Sequence, residues 1–260
     1  MRVVKRILIV CAGLIVCACA GWAQSGAGEV VPGAAEQLLA FANAARAQAG
    51  VGKLAWDESL ASAALDHCLR MAAEGPISHR YGGEASLSER GGQAGARFDL
   101  IEENVALGPT PHLIHEGWMQ SPGHRENLLN ENVNRVGIAV VAARGELYAV
   151  ADYSRAVISL SQTDVEARVA RLIRVSGVKI VNSPATARAA CPANSGVPPA
   201  NGGPQAMFVE RWQDSMLNQL PPTLTAKLAS GQYQMAAVGS CPAQGMDGQF
   251  SSYRVAVLLY

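Results

Sequence analysis

Apolar residues along the first 160 positions fall into helical periods before they fall into strand periods. Leu38, Phe41, Ala42 and Ala45 recur at i, i+3, i+4 and i+7, which predicts a helix from Ala34 to Ala49 that Gly50 ends. Leu60, Ala64, Cys68 and Met71 form a second stripe, opened by Asp57 as N-cap and stopped by Gly75-Pro76 near Glu74. Ser86 and Glu89 have capping-box spacing, which gives Glu89 a structural task. Thr110-Pro111 opens a helix carrying Leu113, Ile114 and Trp118. Ser121-Pro122 opens another that runs to Leu129, with the Ser121 hydroxyl as cap and His124 in the first turn. The period then changes to two. Arg135–Ala143 alternates through Val136, Ile138 and Val140, and Glu146–Val157 through Leu147, Ala149 and Ala151. Arg144-Gly145 between them predicts a hairpin.

The character shifts near Ile158. Thr163 and Glu166 suggest another capping box, ahead of a helix with Val165, Val169, Leu172 and Ile173 on one face. Val178–Val181, Ala206–Trp212, Gln232–Val238 and Tyr253–Leu259 read as strands, with a short helix near Leu224–Ala229. Asn182 to Gln205, rich in Pro, Gly, Ala and Asn, reads as a long loop. The expected organisation is α+β. An α-β-α sandwich over 34–157 is followed by a small α+β unit over 158–260.

The N-terminus has the grammar of a secretory signal. Arg2, Lys5 and Arg6 precede an apolar run from Ile7 to Ala20, with small residues before Gln24. Residues 1–23 are expected to be cleaved and 24–33 to be a flexible segment. The apolar run is short for a membrane span, so none is expected in the mature chain. The chain is then secreted or periplasmic. The alternative is a lipid anchor through Cys19, preceded by Val16-Cys17-Ala18.

Formal net charge is zero, which gives no reason to expect nucleic acid as a partner. Beyond the signal, the cysteines are Cys68, Cys191 and Cys241. Cys68 belongs to the buried stripe as a thiol. Cys191 and Cys241 are the natural disulfide of an exported chain.

Candidate chemistry centres on histidine and carboxylate. His67 falls near the second stripe and reads as a satisfied core residue. Glu102 and Glu103 are adjacent on an extended chain, so one faces inward and the other out. His112 and His115 have helical metal spacing, but a solvated face is the simpler reading, and no histidine stands at Met119 to complete a zinc-protease helix. No Gly-x-Ser-x-Gly elbow is present, and the stripe position of Cys68 argues against a cysteine nucleophile.

The set Asn43…Arg46, Leu54-Ala55-Trp56-Asp57, Ser78-His79, Glu103-Asn104, Trp118…Ser121-Pro122-Gly123-His124-Arg125, Leu128-Leu129 and Val136-Gly137 resembles, in order, the CAP superfamily. That superfamily covers cysteine-rich secretory proteins, antigen 5 and pathogenesis-related 1. The chain looks like its bacterial, disulfide-poor, exported type over residues 35–155. The resemblance implies an α-β-α sandwich with a cleft lined by two histidines and two acids. Carried across, His79, Glu103 and His124 match three of the four, while Ser121 stands at the position of the second acid. Glu116 or Glu89 are the candidates for a replacement carboxylate. The resemblance implies that some members hold a divalent cation, so His79, Glu103 and His124 are the expected ligands of any Zn2+ or other divalent ion. Three functions follow. One is a non-enzymatic binding module for a small molecule, lipid or peptide. Another is a metal-dependent hydrolase of peptide or cell-wall material. The third is a cell-envelope interaction protein that uses the C-terminal unit.

Overall fold

The structure is a computed structural model that describes residues 28–181, 184–200, 203–242 and 251–260. The signal sequence and Cys19 lie outside the described residues.

In chain order the elements of the first unit are β1 (Glu29–Val30), α1 (Ala34–Gln48), β2 (Ala55–Trp56), α2 (Glu58–Glu74), α3 (Leu87–Gln93), β3 (Phe98–Gly108), α4 (Pro111–Gln120), α5 (Pro122–Leu129), β4 (Arg135–Ala143) and β5 (Glu146–Ala156). Its sheet has the order β1-β4-β5-β3, with β2 also on β4. The central pairs are antiparallel; the Arg144-Gly145 turn, with both residues at positive φ, joins β4 to β5. The segment 24–33, expected to be flexible, contributes β1, whose Glu29 and Val30 lie opposite Ala142 and Val141.

Helices cover both faces of this sheet. On one side Leu38 and Ala42 of α1, Ile114 and Trp118 of α4 and Leu128 of α5 pack on Val136, Ile138, Val140, Ala151 and Tyr153. On the other, Ala64, Cys68 and Met71 of α2 pack on Val105, Ala139, Val141 and Val150. This is the α-β-α sandwich. α2 lies unusually close to the sheet: a Cβ at Gly137 would stand 2.0 Å from the backbone nitrogen of Ala61. Only glycine permits that approach.

The Asn and Arg of α1 have structural work. Asn43 exchanges hydrogen bonds with the backbone of Leu54. The fully buried Arg46 donates to the carbonyls of Gly52, Leu128, Asn130 and Val133, fixing the end of α5. Buried carbonyls left by a helix end need such donors.

The second unit comprises α6 (Gln162–Arg174), β6 (Lys179–Ile180), α7 (Pro184–Ala190), β7 (Phe208–Asp214), α8 (Pro222–Ala229), β8 (Met235–Cys241) and β9 (Tyr253–Leu259). Its sheet runs β6-β8-β9-β7. The capping box belongs to Ser161 and Asp164, two residues upstream of the expected one, because the Ser161 hydroxyl is the one that reaches the Asp164 N–H. The expected loop 182–205 contains α7, whose small side chains let its backbone rest on Gly239 of β8. Cys191 and Cys241 form the disulfide, with Cα atoms 5.9 Å apart. Cys68 is the buried thiol.

Candidate functional site

The site is built on consecutive residues of β3 that point to opposite faces of the sheet. Glu103 faces α2 and Asn104 faces α5, and both are buried. Glu103 accepts a hydrogen bond from Nδ1 of His79 at 2.8 Å through one oxygen, and from Arg90 through the other. His79 sits in the segment between α2 and α3, and Arg90 also holds its carbonyl at 3.3 Å. On the other face the Nδ2 of Asn104 donates to the carbonyl of His124 at 2.9 Å, and its oxygen accepts from Asn127 at 3.0 Å. Trp118 anchors α4 to the same strand by donating to the Val105 carbonyl at 3.3 Å.

The His79 segment is itself braced from below. The buried His67 of α2 contacts Glu84 through Nδ1 at 2.7 Å and the Ser78 carbonyl through Nε2 at 2.9 Å. Glu84 also accepts from the Tyr81 N–H at 2.8 Å. His67 is thus the satisfied core histidine that its stripe position predicts. Burial works against ionisation of Glu84, but the Tyr81 N–H and His67 outweigh it and hold its carboxyl below the ordinary range.

The two cleft histidines differ in electrostatic character. The hydrogen bond to Glu103 raises the pKa of His79, against a smaller opposing effect of burial. Burial lowers that of His124, and the charge of nearby His79 lowers it further. The two rings are thus pushed in opposite directions: pairing with Glu103 favours the cation at His79, and burial disfavours it at His124.

Ser121 departs from expectation. Its hydroxyl makes no cap bond to α5. Ser121 ends α4 and begins α5 at once, and its backbone makes the junction: its N–H donates to Gly117 and its carbonyl accepts from Arg125. Glu89 is spent in the capping box with Ser86, as its spacing predicts. Glu116 is exposed on α4 and lies 3.8 Å from His112, and among the described residues neither acid pairs with His79 or His124. His115 is half-buried against the Phe41 ring, 5.6 Å between centroids, and so is not on a fully solvated face. Glu102 is half-buried and accepts from Asn130, so it does not point wholly outward.

Glu103 is not free to coordinate the expected divalent ion. Both oxygens of Glu103 are engaged by His79 and Arg90, and the His79 nitrogen on that side is used as well. Among the described residues no three His, Cys, Asp or Glu side chains are grouped to hold a metal ion.

Residues 39–153 match the model of the cysteine-rich secretory protein family, CAP. The chain carries a CAP domain. This domain is 33% identical over 109 residues to the uncharacterised membrane protein YlbC of Bacillus subtilis, a match covering 40% of this chain and 31% of YlbC. It is 29% identical over 107 residues to the uncharacterised protein YkwD of the same organism, covering 41% of this chain and 42% of YkwD. The chain thus spans less than half the length of either relative. Among solved structures, an extracellular protein containing an SCP domain from Bacillus anthracis is 28% identical, with a TM-score of 0.43, over 47% of this chain and 40% of that one. Among the described residues no helix is long and apolar enough to cross a membrane.

Three further charged residues join the network around Glu103 and His79, and no motif in the sequence marks them. Arg90, Glu84 and Asp152 are all buried. Asp152 of β5 lies directly opposite Glu103 of β3 in the sheet register. The signal for it is a charged residue inside a strand whose two faces are both covered by helices.

Proposed function

We propose that the CAP domain is a non-enzymatic binding module of an exported protein, acting in the cell envelope or outside the cell. Its cleft presents His79 and His124 to an acceptor group, a carboxylate or phosphate, on a small molecule, lipid or peptide. The observation that carries this reading is the commitment of Glu103. A carboxylate held by a guanidinium and an imidazole positions the imidazole and is not available as a general base or metal ligand. The buried Cys68 supplies no nucleophile, since burial pushes its thiol up to about 12.

The test is a titration of the purified chain, followed by the imidazole resonances of His79 and His124. Two probes separate the ligand sources: muramyl dipeptide for a wall-derived carboxylate and dihexanoyl phosphatidylglycerol for a lipid phosphate. One of them should shift both rings, with affinity falling about tenfold in His79→Ala, roughly the loss of one charge-assisted hydrogen bond. Absence of shifts with both probes would overturn it. So would zinc-dependent cleavage of cell-wall material that His124→Ala abolishes.

A further inference from the structure

Asp152 is fully buried, and neither of its carboxyl oxygens has a hydrogen-bond donor among the described residues. Antiparallel register puts its side chain on the same face as Glu103, beneath the start of α2. Its other cross-strand neighbour is Gly137, on which the backbone of α2 rests directly. The charged groups facing this spot are accounted for. Arg90 of α3 gives its terminal nitrogens to Glu103 and to the carbonyls of His79 and Ala85, and its Nε makes no bond to Asp152. His67 of α2 is held at both ring nitrogens by Glu84 and Ser78. His79 gives its Nδ1 to one Glu103 oxygen. The Arg90 guanidinium is near enough to favour the Asp152 carboxylate, but it makes no hydrogen bond to it, and burial and the facing Glu103 carboxylate outweigh that effect.

We propose that Asp152 is a neutral carboxylic acid that donates its proton in a hydrogen bond to Glu103, and so acts as the positioning residue that fixes the carboxylate holding His79. Two ionised carboxylates side by side in a sealed space repel strongly, and an unpartnered buried charge is costly. A carboxylic acid next to a carboxylate turns that repulsion into a short, charge-assisted bond. Burial and the Glu103 charge raise the pKa of Asp152 against a smaller lowering by Arg90, in agreement with the geometry. The cleft then contains an ordered line of donors and acceptors, Asp152 to Glu103 to His79, with Arg90 on the flank. The inference gains functional meaning from the binding reading, but it is tested without any ligand, so either can fail alone.

The experiment measures the carboxyl carbon resonance of Asp152 in the intact chain across pH, with Asp152→Asn as the control that identifies it. The expected result is a protonated carboxyl shift at neutral pH. An ionised shift there would overturn the proposal. Asp152→Asn is also read at His79. Asparagine is a neutral donor, so the His79 midpoint should move by less than about 0.3 unit, whereas removal of an ionised neighbour would lower it by about a unit or more and overturn the proposal. Asp152→Leu, which cannot donate, should broaden or split the His79 resonances as Glu103 loses its fixed rotamer. A His79 spectrum unchanged in Asp152→Leu would overturn the positioning role.

Discussion

The amide nitrogen of Asn104 donates to the backbone carbonyl of His124 at 2.9 Å, one residue along β3 from the carboxylate that grips His79. Each histidine is tied to the strand by a different kind of bond. His79 is held by its ring, His124 by its main chain. The His124 ring is left to its own rotamers while its backbone stays in place.

Substituting Asn104 by Ala should therefore act on α5 more than on His79. The variant loses the bond to His124 and the one from Asn127 and leaves buried polar groups without partners. A loss of about 1–3 kcal/mol is expected, measured as a drop in the urea midpoint with an unchanged slope. The His79 titration should stay where it is in wild type.

The pH behaviour of His79 has a definite sign. Its folded pKa lies above the ordinary 6.5 because of the hydrogen bond to Glu103. Its stabilising contribution is thus complete below 6.5 and disappears as pH rises through the folded value. The side chain is 60% exposed, which keeps the effect on stability small. In Glu103→Gln the ring midpoint should fall toward 6.5, read directly by NMR.

Asp152 has the same sign for a different reason. Its folded pKa is raised by burial and by Glu103, from an ordinary 3.8. Its contribution to stability is full below 3.8 and is lost as pH climbs toward the folded value. Asp152→Asn removes that penalty. The variant should gain stability over wild type at pH 7, by roughly 1.4 kcal/mol for each unit of raised pKa, and the gain should shrink toward pH 4. Denaturation midpoints at several pH values check this.

The three cysteines beyond the signal should differ in reactivity. Native chain should show no thiol reactive to Ellman's reagent, because Cys68 is buried and its thiol is pushed up to about 12. Unfolded without reductant, residues 28–260 should show one. Reduction of Cys191–Cys241, which closes a separation of 50 residues, should destabilise the second unit by about 4 kcal/mol, as a lower Tm.

Much of this fold was legible because its amphipathic stripes are clean. The stripe through Leu60, Ala64, Cys68 and Met71 lies against the sheet, and the strands Arg135–Ala143 and Tyr253–Leu259 begin and end at the residues that alternation marks. The pair His79 and Glu103 was legible only through the family resemblance, since no spacing rule joins positions so far apart. Asp152 was missed for a physical reason. Reading Leu147, Ala149 and Ala151 as the inner face assigns Asp152 to solvent, but a sheet covered on both sides has no solvent face there. The Ser121 cap failed because propensity ranks the residue and not its rotamer. A residue shared by two helices already satisfies the junction with its main chain. Residues 29–30 looked structureless because two residues show no period, and only pairing with β4 makes them a strand.

The glycine contact at Gly137 makes the two walls of the cleft mechanically unequal. On the α2 side, main chain rests on main chain, and there is no side-chain rotamer through which that layer can yield. On the far side α5 is eight residues long, and Leu128 is its buried anchor. A guest too large for the hollow would meet main chain that cannot yield beneath α2, while His124, whose backbone Asn104 holds, can turn only its ring, so accommodation falls to that side chain.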